Sequence, residues 1–143
     1  MKNKKIVVAL LSLSTLLILS YCKEKEEPAT DYSRFMMGEW TISETFTLSG
    51  EPEIIDDCNR ETSYNFMAGG VLNVNPRVTA SDGNSTYCAA VLNDGLGVDI
   101  NYLITGNRME SELGNATLEK ISNSSVRLTF DEEEFGIVVL VKR

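Results

Sequence analysis

From Gly38 onward the chain alternates apolar and polar side chains, and a period of two puts every second residue on the same face of an extended strand. In "GEWTISETFTLSG", residues 38–50, Trp40, Ile42, Phe46 and Leu48 form one row, and Thr41, Ser43, Thr45, Thr47 and Ser49 the other. One face is therefore buried. Glu44 is the exception, a carboxylate in the apolar row between Ile42 and Phe46. A lone charge facing an apolar interior is costly unless paired or hydrogen-bonded. Three arrangements relieve that cost: a bulge that turns Glu44 outward, a partner such as Arg108 or Arg127 on another strand, or a water-filled cavity where it meets a polar group of a ligand.

The pattern recurs to the end of the chain. "ETSYNF" and "VLNVNPRV", joined by "MAGG", read as a hairpin with Leu72, Val74 and Val78 in one row. Pro76 marks an edge or a bulge there, because proline cannot donate to a ladder. "STYCAAVL" follows the turn signal "SDGN", and "GVDINYLI" follows "NDGLG", which aligns Val98, Ile100, Tyr102 and Ile104. "NRMESEL", "NATLEKIS", "SVRLTF" and a last segment apolar on both faces, "FGIVVLVK", complete the series. About eight or nine strands with short connections predict an all-β fold, an antiparallel barrel or sandwich.

The first 21 residues have a different character. Lys2, Lys4 and Lys5 precede an apolar run from Ile6 to Leu19. Its charge and length match an export signal, since a membrane span needs roughly 20 apolar residues. "Leu19-Ser20-Tyr21-Cys22" resembles the bacterial lipobox, with Tyr21 where a small residue is usual. That resemblance implies diacylglycerol on the Cys22 thiol and a lipid-anchored product of the bacterial cell envelope, on the outer membrane in preference to the inner. The polar stretch "CKEKEEPATDYS" then reads as a tether, and the domain assignment is signal 1–21, lipidated Cys and tether 22–35, and β-domain 36–143. Lys followed by acidic residues after such a cysteine resembles a surface-export signal of Gram-negative lipoproteins; a periplasm-facing anchor is the alternative.

With Cys22 lipidated, Cys58 and Cys88 remain, an even pair in an oxidising compartment where disulfides persist. A structural bridge is the first reading and two reduced core thiols the second. The formal charge is −8, and loss of the three signal lysines takes it to −11. A phosphate-backbone binder needs clustered Lys and Arg, so nucleic acid is excluded as a partner.

"MMGEWTISE", "DDCNRETSYNFMAGGVLNV", a second Cys, "ITGNRMES" and "LEKISNSSVRLTF" together resemble the bacterial lipocalin-like domain of small lipoproteins, over residues 36–143. Gly38, Trp40, Cys58, Phe66 and Gly70 stand at that family's characteristic places. The resemblance implies a small up-and-down β-barrel of about eight strands, non-enzymatic, holding a small apolar ligand. Candidate ligand contacts are Trp40, Glu44, Phe46, Tyr64 and Tyr102, although in lipocalins the early Trp closes the barrel base by packing. The second Trp often found in the family is absent.

Catalytic chemistry is poorly represented. The chain has no histidine, which excludes Ser-His-Asp and Cys-His mechanisms and removes the commonest metal ligand. Asp56, Asp57, Glu132 and Glu133 could in principle supply an acid and a base, but they sit in loop-like charge runs. Neither "EIIDDCN" nor "ASDGNS" has the spaced carboxylates of a calcium loop. No cofactor or metal is expected. Two functions survive: a barrel with a ligand cavity, and an envelope interaction module whose barrel Tyr64, Phe66, Tyr102, Phe130 and Phe135 fill. Both are compatible with eight strands.

Overall fold

A computed structural model describes residues 29–92 and 95–143. In chain order its elements are α1 (Tyr32–Phe35), β1 (Gly38–Phe46), β2 (Pro52–Glu53), α2 (Asp57–Arg60), β3 (Ser63–Met67), β4 (Val71–Asn75), β5 (Arg77–Ser81) and β6 (Thr86–Ala90). They continue with β7 (Val98–Thr105), β8 (Arg108–Ser111), β9 (Ala116–Ser122), β10 (Ser125–Phe130) and β11 (Ile137–Lys142). Strand β1 closes the sheet, because it pairs with β3 on one side (Gly38↔Phe66, Thr41↔Ser63) and with β11 on the other (Trp40↔Lys142, Phe46↔Ile137). The ring β1-β3-β4-β7-β8-β9-β10-β11 is an antiparallel, eight-stranded barrel, and closure leaves it no free edge. Around the ring, from β1 to β11, neighbours in space are neighbours in sequence except where the short β2 and the β5–β6 pair intervene, so the connectivity is up-and-down as expected.

The β5–β6 ribbon stands outside the ring. Pro76 separates it from β4, and the amide of Arg77, the next residue, donates to Thr62 Oγ1 (3.0 Å). Val78, expected in one row with Leu72 and Val74, is therefore 41% exposed on the ribbon. Val98 is also half exposed, since β7 begins at the rim of the barrel.

Glu44 points to solvent, and a bulge accounts for it. Ile42 lies opposite Leu140 and Glu44 opposite Val139, so Ser43 has no partner and the alternation changes phase. Thr45 then faces Val138, and its buried Oγ1 has no hydrogen-bond partner among the described residues. Arg108 pairs with Asp131 and Arg127 with Glu119, so neither is the partner of Glu44. The core consists of inward rows, with Trp40, Phe66, Leu72, Met109, Leu118, Val126 and Leu140 essentially inaccessible.

Folded structure begins inside the segment expected as tether. Asp31 caps α1 by accepting from the Arg34 amide (3.2 Å), and Tyr32, Phe35 and Met36 pack onto the core. Cys22, the signal segment and tether residues up to Pro28 lie outside the described residues.

Candidate functional site: an apolar cavity with one closed end

The two ends of the barrel are built differently. Where the chain enters, α1 lies across the opening. Phe35 meets Trp40 edge-on at 5.5 Å, and the Trp40 indole N–H donates to the Met36 carbonyl (2.6 Å). The ammonium groups of Lys120 and Lys142 stand 5.2 Å from the Phe35 and Trp40 rings respectively. The Tyr32 hydroxyl accepts from the Lys120 amide (3.0 Å). Gly38 makes the entry possible with φ of +109°, a conformation that side chains resist.

The opposite end carries the longer connections, residues 112–115 and 131–136 among them. Gly136 fixes the second of these: its φ is +56°, and a Cβ there would lie 2.3 Å from the Phe46 carbonyl oxygen. Between this rim and the core lies a cavity of about 180 Å³. Tyr64 and Phe66 of β3 and Leu72 and Val74 of β4 form one wall. Met109, Leu128, Phe130 and Val138 face them, and Leu113 and Phe135 from the two connections edge the mouth. Phe135 is 41% exposed, so the cavity is partly open to solvent there.

Tyr64 supplies the polar side chain of this lining, and its hydroxyl has no hydrogen-bond partner among the described residues. Burial raises its pKa above the usual tyrosine value, so it stays a neutral donor or acceptor at physiological pH. An apolar cavity of about 150 Å³ is large enough for benzene. This one holds slightly more than a single aromatic ring and is smaller than the roughly 300–1,000 Å³ of common ligand sites.

Of the five expected ligand contacts, Tyr64 alone lines the cavity. Trp40 belongs to the closed end, and Glu44 is on the outer surface. Phe46, past the bulge, is half-buried at the start of the turn and does not line the site. Tyr102 stacks edge-on with Phe66 at 5.2 Å and donates to the Met67 carbonyl (3.1 Å), with a pKa raised by burial. The residues missed are three phenylalanines expected to fill the barrel, Phe66, Phe130 and Phe135, and a set of aliphatic side chains: Leu72, Val74 and Leu128 lie in inward rows visible in the sequence, but nothing there says which part of a row stays unfilled. Met109 and Leu113 carry no such signal beyond their apolarity.

The Cys58–Cys88 disulfide is present, with Cα atoms 5.2 Å apart, and ties α2 to the ribbon. Beside it Asp56 caps α2 by accepting from the Asn59 amide (2.7 Å) and takes a second bond from Thr79 (3.2 Å). Asp56 is thus engaged structurally, whereas Glu132 lies half-buried in the connection at the mouth. Among the described residues no group of three or more Cys, Asp or Glu is arranged to hold a metal ion, and no helix is long and apolar enough to cross a membrane. Comparison with family models, curated proteins and solved structures finds no match to this chain.

Proposed function

We propose that this chain is a lipid-anchored, lipocalin-like protein of the bacterial cell envelope that binds a small apolar molecule without transforming it. The cavity carries this reading: about 180 Å³ of apolar space, closed at one end by α1 and open at the other. An unfilled, apolar volume inside a barrel lowers stability through lost dispersion contacts, and an occupant that restores those contacts would offset the loss. The anchor rests on the apolar run ending at Cys22.

Toluene matches the space, so it should raise the Tm of the wild-type domain in a dose-dependent way. In Leu128→Trp, whose indole fills the cavity, the rise should disappear; a rise of equal size in that variant would refute binding at this site. The anchor has its own test: Cys22→Ala in a bacterial host should abolish labelling by fatty acid and membrane fractionation, and retention of both would refute it.

A further inference from the structure

Among the described residues one polar side chain lines the cavity, and the fold gives its polar atom nothing to bind. Tyr64 lies opposite Trp40 on β1 and Val74 on β4, both members of inward rows, so its ring points into the barrel. Its hydroxyl has no hydrogen-bond partner among the described residues. The polar side-chain atoms there that are both unpartnered and wholly enclosed are Thr45 Oγ1, Asn75 Oδ1 and Glu132 Oε2, and Tyr64 Oη is not one of them. An inward hydroxyl that is neither paired nor sealed in borders open volume, and the volume that Tyr64 lines is the cavity.

No residue lining the cavity is charged, so an ionic head group entering it would give up its hydration without meeting a counter-charge. A purely apolar occupant would strip water from the Tyr64 hydroxyl and leave it unpaired, whereas one oxygen on the ligand restores the bond. Burial raises the Tyr64 pKa, so the hydroxyl keeps its proton at neutral pH and can donate it. The space of about 180 Å³ limits the body to little more than one ring. We infer that the ligand is a neutral single-ring compound carrying one oxygen, a simple phenol or aryl carbonyl, with that oxygen bonded to Tyr64 Oη and the ring seated against Phe66, Met109 and Leu128.

This inference rests on the ligand-binding reading above, and a matched pair of probes separates the two. Toluene and phenol have nearly the same shape and differ only in a methyl against a hydroxyl group. In amide chemical-shift titrations of the wild-type domain at pH 7, both should shift Phe66 and Leu128. The ratio of their dissociation constants should move toward toluene by roughly fivefold or more in Tyr64→Phe. In Tyr102→Phe, whose hydroxyl donates to the Met67 carbonyl, it should stay within about twofold of wild type. Benzoate should bind at least about tenfold more weakly than phenol. A wild-type crystal soaked in phenol should place the phenol oxygen about 2.7 Å from Tyr64 Oη, a measurement that needs no variant to fold. If neither toluene nor phenol shifts the cavity residues of the wild type, the ligand-binding reading itself fails. If toluene alone binds, if the ratio is unchanged in Tyr64→Phe or moves as far in Tyr102→Phe, if benzoate matches phenol, or if the phenol oxygen points away from Tyr64, the neutral-oxygen assignment is overturned and the apolar site stands.

Discussion

One unpaired residue, Ser43, determines which side chains β1 hands to the interior. Strict alternation would have put Glu44 and Phe46 inside; the bulge sends Glu44 to solvent and Thr45 to the inner face. Glu44→Ala should accordingly change unfolding free energy by less than about 0.5 kcal/mol in urea titrations, as for other exposed sites; a loss of several would mean a buried charge. Tyr64 is the opposite case, since it stands in the cavity wall and burial raises its pKa. The folded state favours the neutral phenol, so this contribution is fully present below the unfolded value of 10.0 and is lost as pH rises through the folded pKa. Stability should therefore fall above about pH 10 more steeply in wild type than in Tyr64→Phe, as urea midpoints measured from pH 8 to 11 would reveal. The same substitution should cost little stability at pH 7, because no hydrogen bond is lost. Tyr64 was legible as an inward aromatic, but its unpaired hydroxyl was not, because a partner depends on atoms of other strands.

Two elements outside the alternating pattern shape the ends of the molecule. The turn α1 closes one end, and Trp40 is the side chain that joins it to the barrel, through the Phe35 ring and the Met36 carbonyl. Trp40→Ala should cost about 3–5 kcal/mol, the usual range for a buried aromatic. The β5–β6 ribbon is held at the other end by the Cys58–Cys88 bridge and by Thr79 on Asp56. Replacing both cysteines by serine should cost up to about 3–4 kcal/mol, the model value for a loop of this length. The loss should appear first as faster hydrogen exchange at β5 and β6, with β1, β10 and β11 still protected. Equal acceleration throughout would mean that ribbon and barrel unfold as one unit. Cysteine parity made the bridge legible. The separation of the ribbon from the ring is not legible, because "VLNVNPRV" keeps its period through Pro76, which marks an edge or a bulge, and only the tertiary structure reveals where pairing changes partner.

At the scale of the whole molecule, the all-β class and the approximate number of barrel strands were present in the sequence as period-two runs with turn signals between them, whereas the up-and-down order was implied only by the family resemblance. The choice of barrel over sandwich lies in a single pairing, β1 with β11, which joins residues about a hundred positions apart and leaves no local trace. The cavity is less legible still. It is the difference between the volume the inward rows enclose and the volume they fill, and an alternating pattern records only the first. Leu128→Ala should enlarge it at a cost of about 2–5 kcal/mol, while Leu128→Trp should fill it. The most direct measurement of the central claim is a crystal structure of the wild-type domain under xenon pressure, since xenon enters apolar cavities of this size and avoids filled cores. The account predicts one xenon site bounded by Phe66, Met109, Leu128 and Val138; a barrel whose side chains occupy that space, with no xenon inside it, would contradict it.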